Sequence, residues 1–243
     1  MTHHPVIQSL NELRAIAASL GSLSLPEMLT GTQLSTQVVN GDENINSTLV
    51  KIVEALDALC LACTTGGSDN ASIAIKNGGV ELVTSVCATL KNGGERLLIS
   101  SLKVLALLLR GMIMLSSSHC DWSLVSHHVL FYQLLDHLFA FADVQSTEQF
   151  RRSRGSNTLM EILNEHNHKS NIVEHGFAVV AAAATRNEVI KETFMEMKID
   201  DLLTKLLKRK ENRNIQSIYD VICVLVTADD NRVVASQVRN KHF

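Results

Sequence analysis

The residues best suited to chemistry in this chain are its ten histidines, densest where four of them stand with other metal-type ligands: His119, Cys120, Asp121, His127, His128 and His137. A zinc ion would need three or four of these converging tetrahedrally, usually through a close Cys or His pair presented by a tight turn. No such pair is present. His119 and Cys120 are adjacent, and on a helix His127 and His128 would point about 100° apart. Structural or solvated histidines are the favoured reading. It extends to His166 and His168, which stand in a polar connection. No metal or other cofactor is expected, and a histidine-rich metal-binding or enzymatic module stands as the alternative.

Other catalytic apparatus is no better represented. Serine, cysteine and histidine are plentiful, but no strand-turn-helix elbow would expose a nucleophile. Thr65-Gly66-Gly67-Ser68 and Lys91-Asn92-Gly93-Gly94 lack the Lys-Ser/Thr ending of a phosphate-binding loop. The chain is therefore expected not to be an enzyme. Its 22 basic and 25 acidic residues leave a net charge of −3, so no global field attracts nucleic acid or an anionic membrane. Lys205, Lys208, Arg209, Lys210 and Arg213 read as cations complementing the end of a helix. Arg151, Arg152 and Arg154 read the same way, with a better chance of meeting an anionic group.

Five cysteines, Cys60, Cys63, Cys87, Cys120 and Cys223, are an odd number and mostly sit in apolar runs, as expected of a reduced intracellular chain. The longest hydrophobic run, residues 104–115, is interrupted by Arg110 and is too short to span a bilayer. A cytoplasmic location is expected, with the nucleus the other compartment that fits.

With so little chemistry on offer, the elements that would position side chains carry more information. Apolar residues recur at three- and four-residue spacing, predicting long helices over 7–20, 48–63, 96–110, 124–141, 171–184 and 215–227. Shorter ones are predicted over 71–76, 80–91, 148–152, 156–165, 188–195 and 199–208, so the order short, medium, long repeats. Polar breaks at Asn70, Arg110, Gln149, Asn187 and Asn231 come about every forty residues, the period of a helical solenoid. Only Pro5 and Pro26 interrupt helix formation, and with 46% hydrophobic but 4% aromatic residues the core must be aliphatic.

The segment Asn70-Ala71-Ser72-Ile73-Ala74-Ile75-Lys76-Asn77-Gly78-Gly79-Val80-Glu81-Leu82-Val83 resembles the armadillo-repeat passage from a first helix, through a glycine bend, into a second. Later copies are degenerate: the segment from Gly155 keeps one glycine and the segment from Lys198 keeps none. The resemblance spans essentially the whole chain, with residues 112–126 fitting poorly. It implies an all-α, armadillo-like right-handed superhelical solenoid, one domain over residues 1–243 with five to six units. Ile7, Leu10, Leu13 and Ile16 mark an apolar face that needs covering, and neither end carries the polar outer face of a capping repeat. A fragment of a longer array is expected, ahead of a homo-oligomer whose uncapped end units pair.

The resemblance also implies a binding surface, because the long third helices of armadillo arrays line a concave groove. Thirteen residues before Asn70, Gln149 and Asn187 stand Asp57, Asp136 and Glu174, all acidic. Twelve residues before these breaks and Asn231 stand Ala58, His137, His175 and Tyr219. An extended ligand would then meet repeated carboxylates and rings, which favours a basic peptide. The irregular unit near Arg110 supplies no matching acid. Import receptors of the armadillo type carry Trp and Asn ladders on these helices. Here the only tryptophan is Trp122, outside a third helix, so that mechanism is not expected. The expected function is a non-catalytic scaffold for a protein or extended peptide, with no nucleic acid and no membrane as partner.

Overall fold

Long aliphatic runs with few prolines leave the backbone little choice but helix. The computed structural model describes residues 4–21, 41–110, 144–209 and 214–227, and every regular element among them is α-helical. In chain order these are α1 (Pro5–Gly21), α2 (Gly41–Thr65), α3 (Gly67–Lys76), α4 (Gly79–Thr89), α5 (Glu95–Leu109) and α6 (Val144–Arg152). They continue as α7 (Gly155–Glu165), α8 (Ser170–Ala184), α9 (Glu188–Glu196), α10 (Ile199–Leu207) and α11 (Ile215–Val226). The all-α expectation holds, and the helix positions match the apolar spacing closely. The helix expected over 124–141 and the irregular stretch 112–126 lie outside the described residues.

From α3 onward the helices fall into triplets, α3–α5, α6–α8 and α9–α11, each closing on its longest member. The turn between the first and second helix of each triplet is the same in all three. Gly78, Arg154 and Lys198 stand there in the left-handed region, with φ of 72°, 56° and 60°. The next residue is buried in each case: Gly79, Gly155 and Ile199. Four residues before the bend lie Ala74, Phe150 and Phe194, all fully buried. Glycine at Gly78 tolerates positive φ without penalty, whereas Arg154 and Lys198 adopt it with a side chain attached.

The long helices form a row in which α2 packs on α5, α5 on α8, and α8 on α11. Equal forty-residue steps would place another third helix between α5 and α8. Instead these two pack directly on each other, more extensively than any other pair among the described helices. Leu98, Leu102 and Leu105 on α5 belong to the same continuous core as Val173, Phe177 and Val180 on α8.

Polar contacts follow the same seam. Gln149 Nε2 on α6 donates to the Ile75 carbonyl on α3 at 2.8 Å. Lys91 pairs with Glu161 and Glu165 on α7 at 3.2 and 3.4 Å, and His166 Nε2 donates to the Lys91 carbonyl at 3.2 Å. Asn171 Nδ2 donates to Glu95 at 3.3 Å. The next seam is built alike: Ser170 Oγ donates to Asn214 Oδ1 at 2.7 Å, Asn214 Nδ2 returns a bond to the Ser170 carbonyl at 3.0 Å, and Arg209 donates to Asn167.

At one end α1 covers the first triplet, burying Val6, Leu10 and Leu13 against α2, α3 and α4. The apolar face expected on this helix is therefore covered within the chain, with Val6 on its inner side and Ile7 turned outward. Arg14 adds a bond to the Asn77 carbonyl at the first bend. At the other end Lys191 is buried, and its Nζ donates to Glu188 at 3.1 Å and to the Thr227 carbonyl at 2.7 Å. This lysine ties the first helix of the last triplet to the end of its third.

Two substitutions test the bends. A Cβ at Gly155 would lie 2.2 Å from the ring of Phe150, which is fully buried and cannot swing away. Gly155→Ala should lower unfolding free energy by roughly 1–3 kcal/mol, read from urea denaturation midpoints. At the exposed Lys198, Lys198→Gly should do the opposite, raising stability by roughly 0.5–1 kcal/mol as positive φ ceases to be costly.

Candidate functional site

Because α5 is packed on both flanks, it leaves only a narrow stripe to solvent. The exposed side chains on it and at its C-cap are Arg96, Lys103 and Arg110, seven residues apart on one face. That spacing is two helical turns, about 10.5 Å of rise per interval. On one side of this stripe α2 exposes Glu54 and Asp57, and on the other α8 exposes Glu174 and α11 exposes Asp220. A line of cations thus runs between acidic residues on the neighbouring helices. Arg96, Lys103, Arg110 and Glu174 make no side-chain hydrogen bond or ion pair among the described residues.

The face between α5, α8 and α11 is hollowed into an open groove of about 310 Å³. Its walls carry Arg110, Glu174 and Asp220, and the small side chains of Ala178, Ala181 and Ser217 leave the space between them. Larger residues at these positions would fill it. The groove therefore follows from small residues at half-buried long-helix positions, flanked by charges of both signs.

The residues expected from the sequence distribute unevenly over this surface. Glu174 lines the groove. Asp57 is exposed on α2 and accepts a 2.7 Å bond from Ser100 Oγ on α5, so part of its hydrogen-bonding capacity is used within the row. His175 is half-buried near Lys103, and its pKa falls below the ordinary 6.5, first through burial and second through the Lys103 charge, with Glu174 opposing. Tyr219 is 60% exposed on α11. Asp136 and His137 lie outside the described residues.

Burial also shifts one register. Val173 and Gly176 on α8 correspond to the buried Ile218 and Val221 on α11, so Tyr219 stands level with Glu174 and Asp220 level with His175. Counting back twelve residues from Asn231 pairs Tyr219 with His175 instead. The polar breaks are not equivalent points: Arg110 caps the end of α5, Gln149 is buried inside α6, and Asn187 caps α9 by accepting from the Ile190 N–H.

Sequence reasoning missed Lys103, Arg110 and Asp220. The seven-residue spacing of Arg96, Lys103 and Arg110 was available as a signal, since no other charge interrupts it between residues 97 and 109.

Among the described residues no group of three or more His, Cys, Asp or Glu could hold a metal ion. Burial pushes the Cys63 thiol up to about 11 and the Cys87 thiol up to about 12, and burial followed by the Asp57 charge raises Cys60. These three thiols stay protonated at neutral pH and offer no ready nucleophile. No described helix is long and apolar enough to cross a membrane.

The His175 environment is measurable. Its depressed pKa means the folded chain binds fewer protons at this site than the unfolded chain as pH falls. Its contribution is fully present above the ordinary value of 6.5 and is lost as pH drops through that value toward the folded one. Proton NMR titration should show His175 below the ordinary value of 6.5, and Lys103→Ala should raise its pKa without restoring 6.5, because burial remains.

No family model, curated protein or solved structure matches this chain.

Proposed function

We propose that this chain is a non-catalytic interaction scaffold of the armadillo-like solenoid type, binding an extended segment of a protein along the exposed face of its long helices. The observation that carries this reading is the open groove between α5, α8 and α11, walled by Arg110, Glu174 and Asp220. Three triplets with a common bend, stacked on one continuous core, support the solenoid reading. Units of this kind contact mainly their neighbours and present a long preformed surface. Such a surface binds without reorganising, so little free energy is lost to ordering it. The segments 187–192 and 227–233 resemble armadillo repeat-containing protein 6, which supports membership of that superfamily.

A selection of displayed random peptides on the immobilised chain tests the groove. Peptides enriched on the wild type should bind Asp57→Lys/Glu174→Lys about tenfold more weakly or worse. They should retain affinity for Glu192→Lys, which changes an exposed charge on α9 away from the long-helix row. Binding indifferent to the Asp57/Glu174 change would remove this surface from consideration.

A further inference from the structure

We propose that the groove selects a bipolar segment, carrying a cationic and an anionic side chain about three residues apart, rather than the uniformly basic peptide that an acidic column would favour. This rests on the groove reading above and specifies its ligand.

The acidic column at Asp57 and Glu174 is interrupted by the helix that lies between them. Lys103 on α5 is close enough to raise the positive potential at both Cys60, beside Asp57, and His175, beside Glu174. Two turns further, at the C-cap of α5, stands Arg110, which forms a wall of the groove itself. A uniformly basic ligand crossing the row would pass from carboxylates on α2 to a cationic stripe on α5 before reaching Glu174. Like charges brought together at an interface cost affinity and suppress such partners.

The three groove charges differ in their surroundings. Arg110 and Glu174 have no side-chain partner among the described residues, and Asp220 accepts only from Gln216 at 2.9 Å. An incoming charged group would not first have to displace an ion pair. Glu174 on α8, with Asp220 beyond it on α11, suits a lysine or arginine, while one step away on α5 the cations Lys103 and Arg110 suit a carboxylate. Helices in contact lie about 8–10 Å apart, and an extended chain advances about 3.3 Å per residue. One step across the row is therefore about three residues of ligand. The small floor at Ala178, Ala181 and Ser217 leaves room for small residues between the two charges.

The test uses the full chain and fluorescein-labelled ten-residue peptides of alanine and serine, followed by anisotropy. One pair carries a lysine and a glutamate three residues apart, in either order; the comparison peptides carry two lysines or two glutamates at the same positions. The better bipolar peptide should bind the wild type about tenfold tighter than either comparison peptide. Lys103→Glu/Arg110→Glu should make the two-lysine peptide the tighter ligand, and Glu174→Lys/Asp220→Lys the two-glutamate peptide. All four positions are exposed, so circular dichroism of both variants should match the wild type.

A two-lysine peptide that binds the wild type at least as tightly as the bipolar ones, and is lost with Glu174→Lys/Asp220→Lys, overturns the bipolar assignment while leaving the groove as the binding surface. Bipolar binding left within about twofold by Lys103→Glu/Arg110→Glu also overturns it. Binding of every peptide unmoved by either variant overturns both the assignment and the groove reading.

Discussion

Everything else in this structure depends on the packing of α5 against α8. These helices bring two triplets together at three levels: Gln149 on the Ile75 carbonyl between first helices, Lys91 with Glu161 and Glu165 near the second, and Glu95 with Asn171 at the start of the third. Buried aliphatic surface supplies the driving force and is non-directional. Polar contacts of fixed geometry set the register at which that surface is buried. With the register set, Ala178, Ala181 and Ser217 come to line the groove together, and the α5 cations come to lie between the carboxylates of α2 and α8.

Helix positions were legible from spacing alone, because an aliphatic stripe at period 3.6 has few other ways to be buried. Stacking order was not. Nothing in the local pattern of Arg96 to Leu109 says which helix will lie beside it, since any helix with a matching apolar face would serve. Asp57 and Glu174 were found by counting, yet the sign of the surface between them was hidden, because Lys103 becomes their neighbour only through packing. The buried lysine was equally opaque. Lys191 sits in an unremarkable charged stretch, and only the meeting of α9 with the end of α11 gives its ammonium the Thr227 carbonyl as a partner.

The surface charges divide into two kinds. Glu148 is held by Arg151 and Arg152 within one helix, at 2.8 Å from each, and its pKa is lowered to about 2. Such local pairs are closed to a partner and, being exposed, contribute little to stability. The cations along α5 and the groove charges Glu174 and Asp220 are open by contrast, held apart on different helices with no mutual ion pair among the described residues. The members of the two strongly basic clusters that fall among the described residues stand at or beside helix ends. Arg151 and Arg152 fold back on Glu148, and Arg209 bonds to Asn167 across a seam. Density of charge along the chain was a poor guide to availability; isolation on a packed helix was a better one.

The shared bend at Gly78, Arg154 and Lys198 has a bearing on descent. What the three bends have in common is a backbone angle, a buried residue just after it and another four residues before it, while the residue at the bend itself differs every time. Any letter that can tolerate the left-handed region preserves the turn, provided the packing around it holds the chain in place. Duplicated units can therefore drift apart in spelling while remaining the same piece of architecture. The likeness of these three bends lies in dihedral angles and burial, which comparison of residue types does not read.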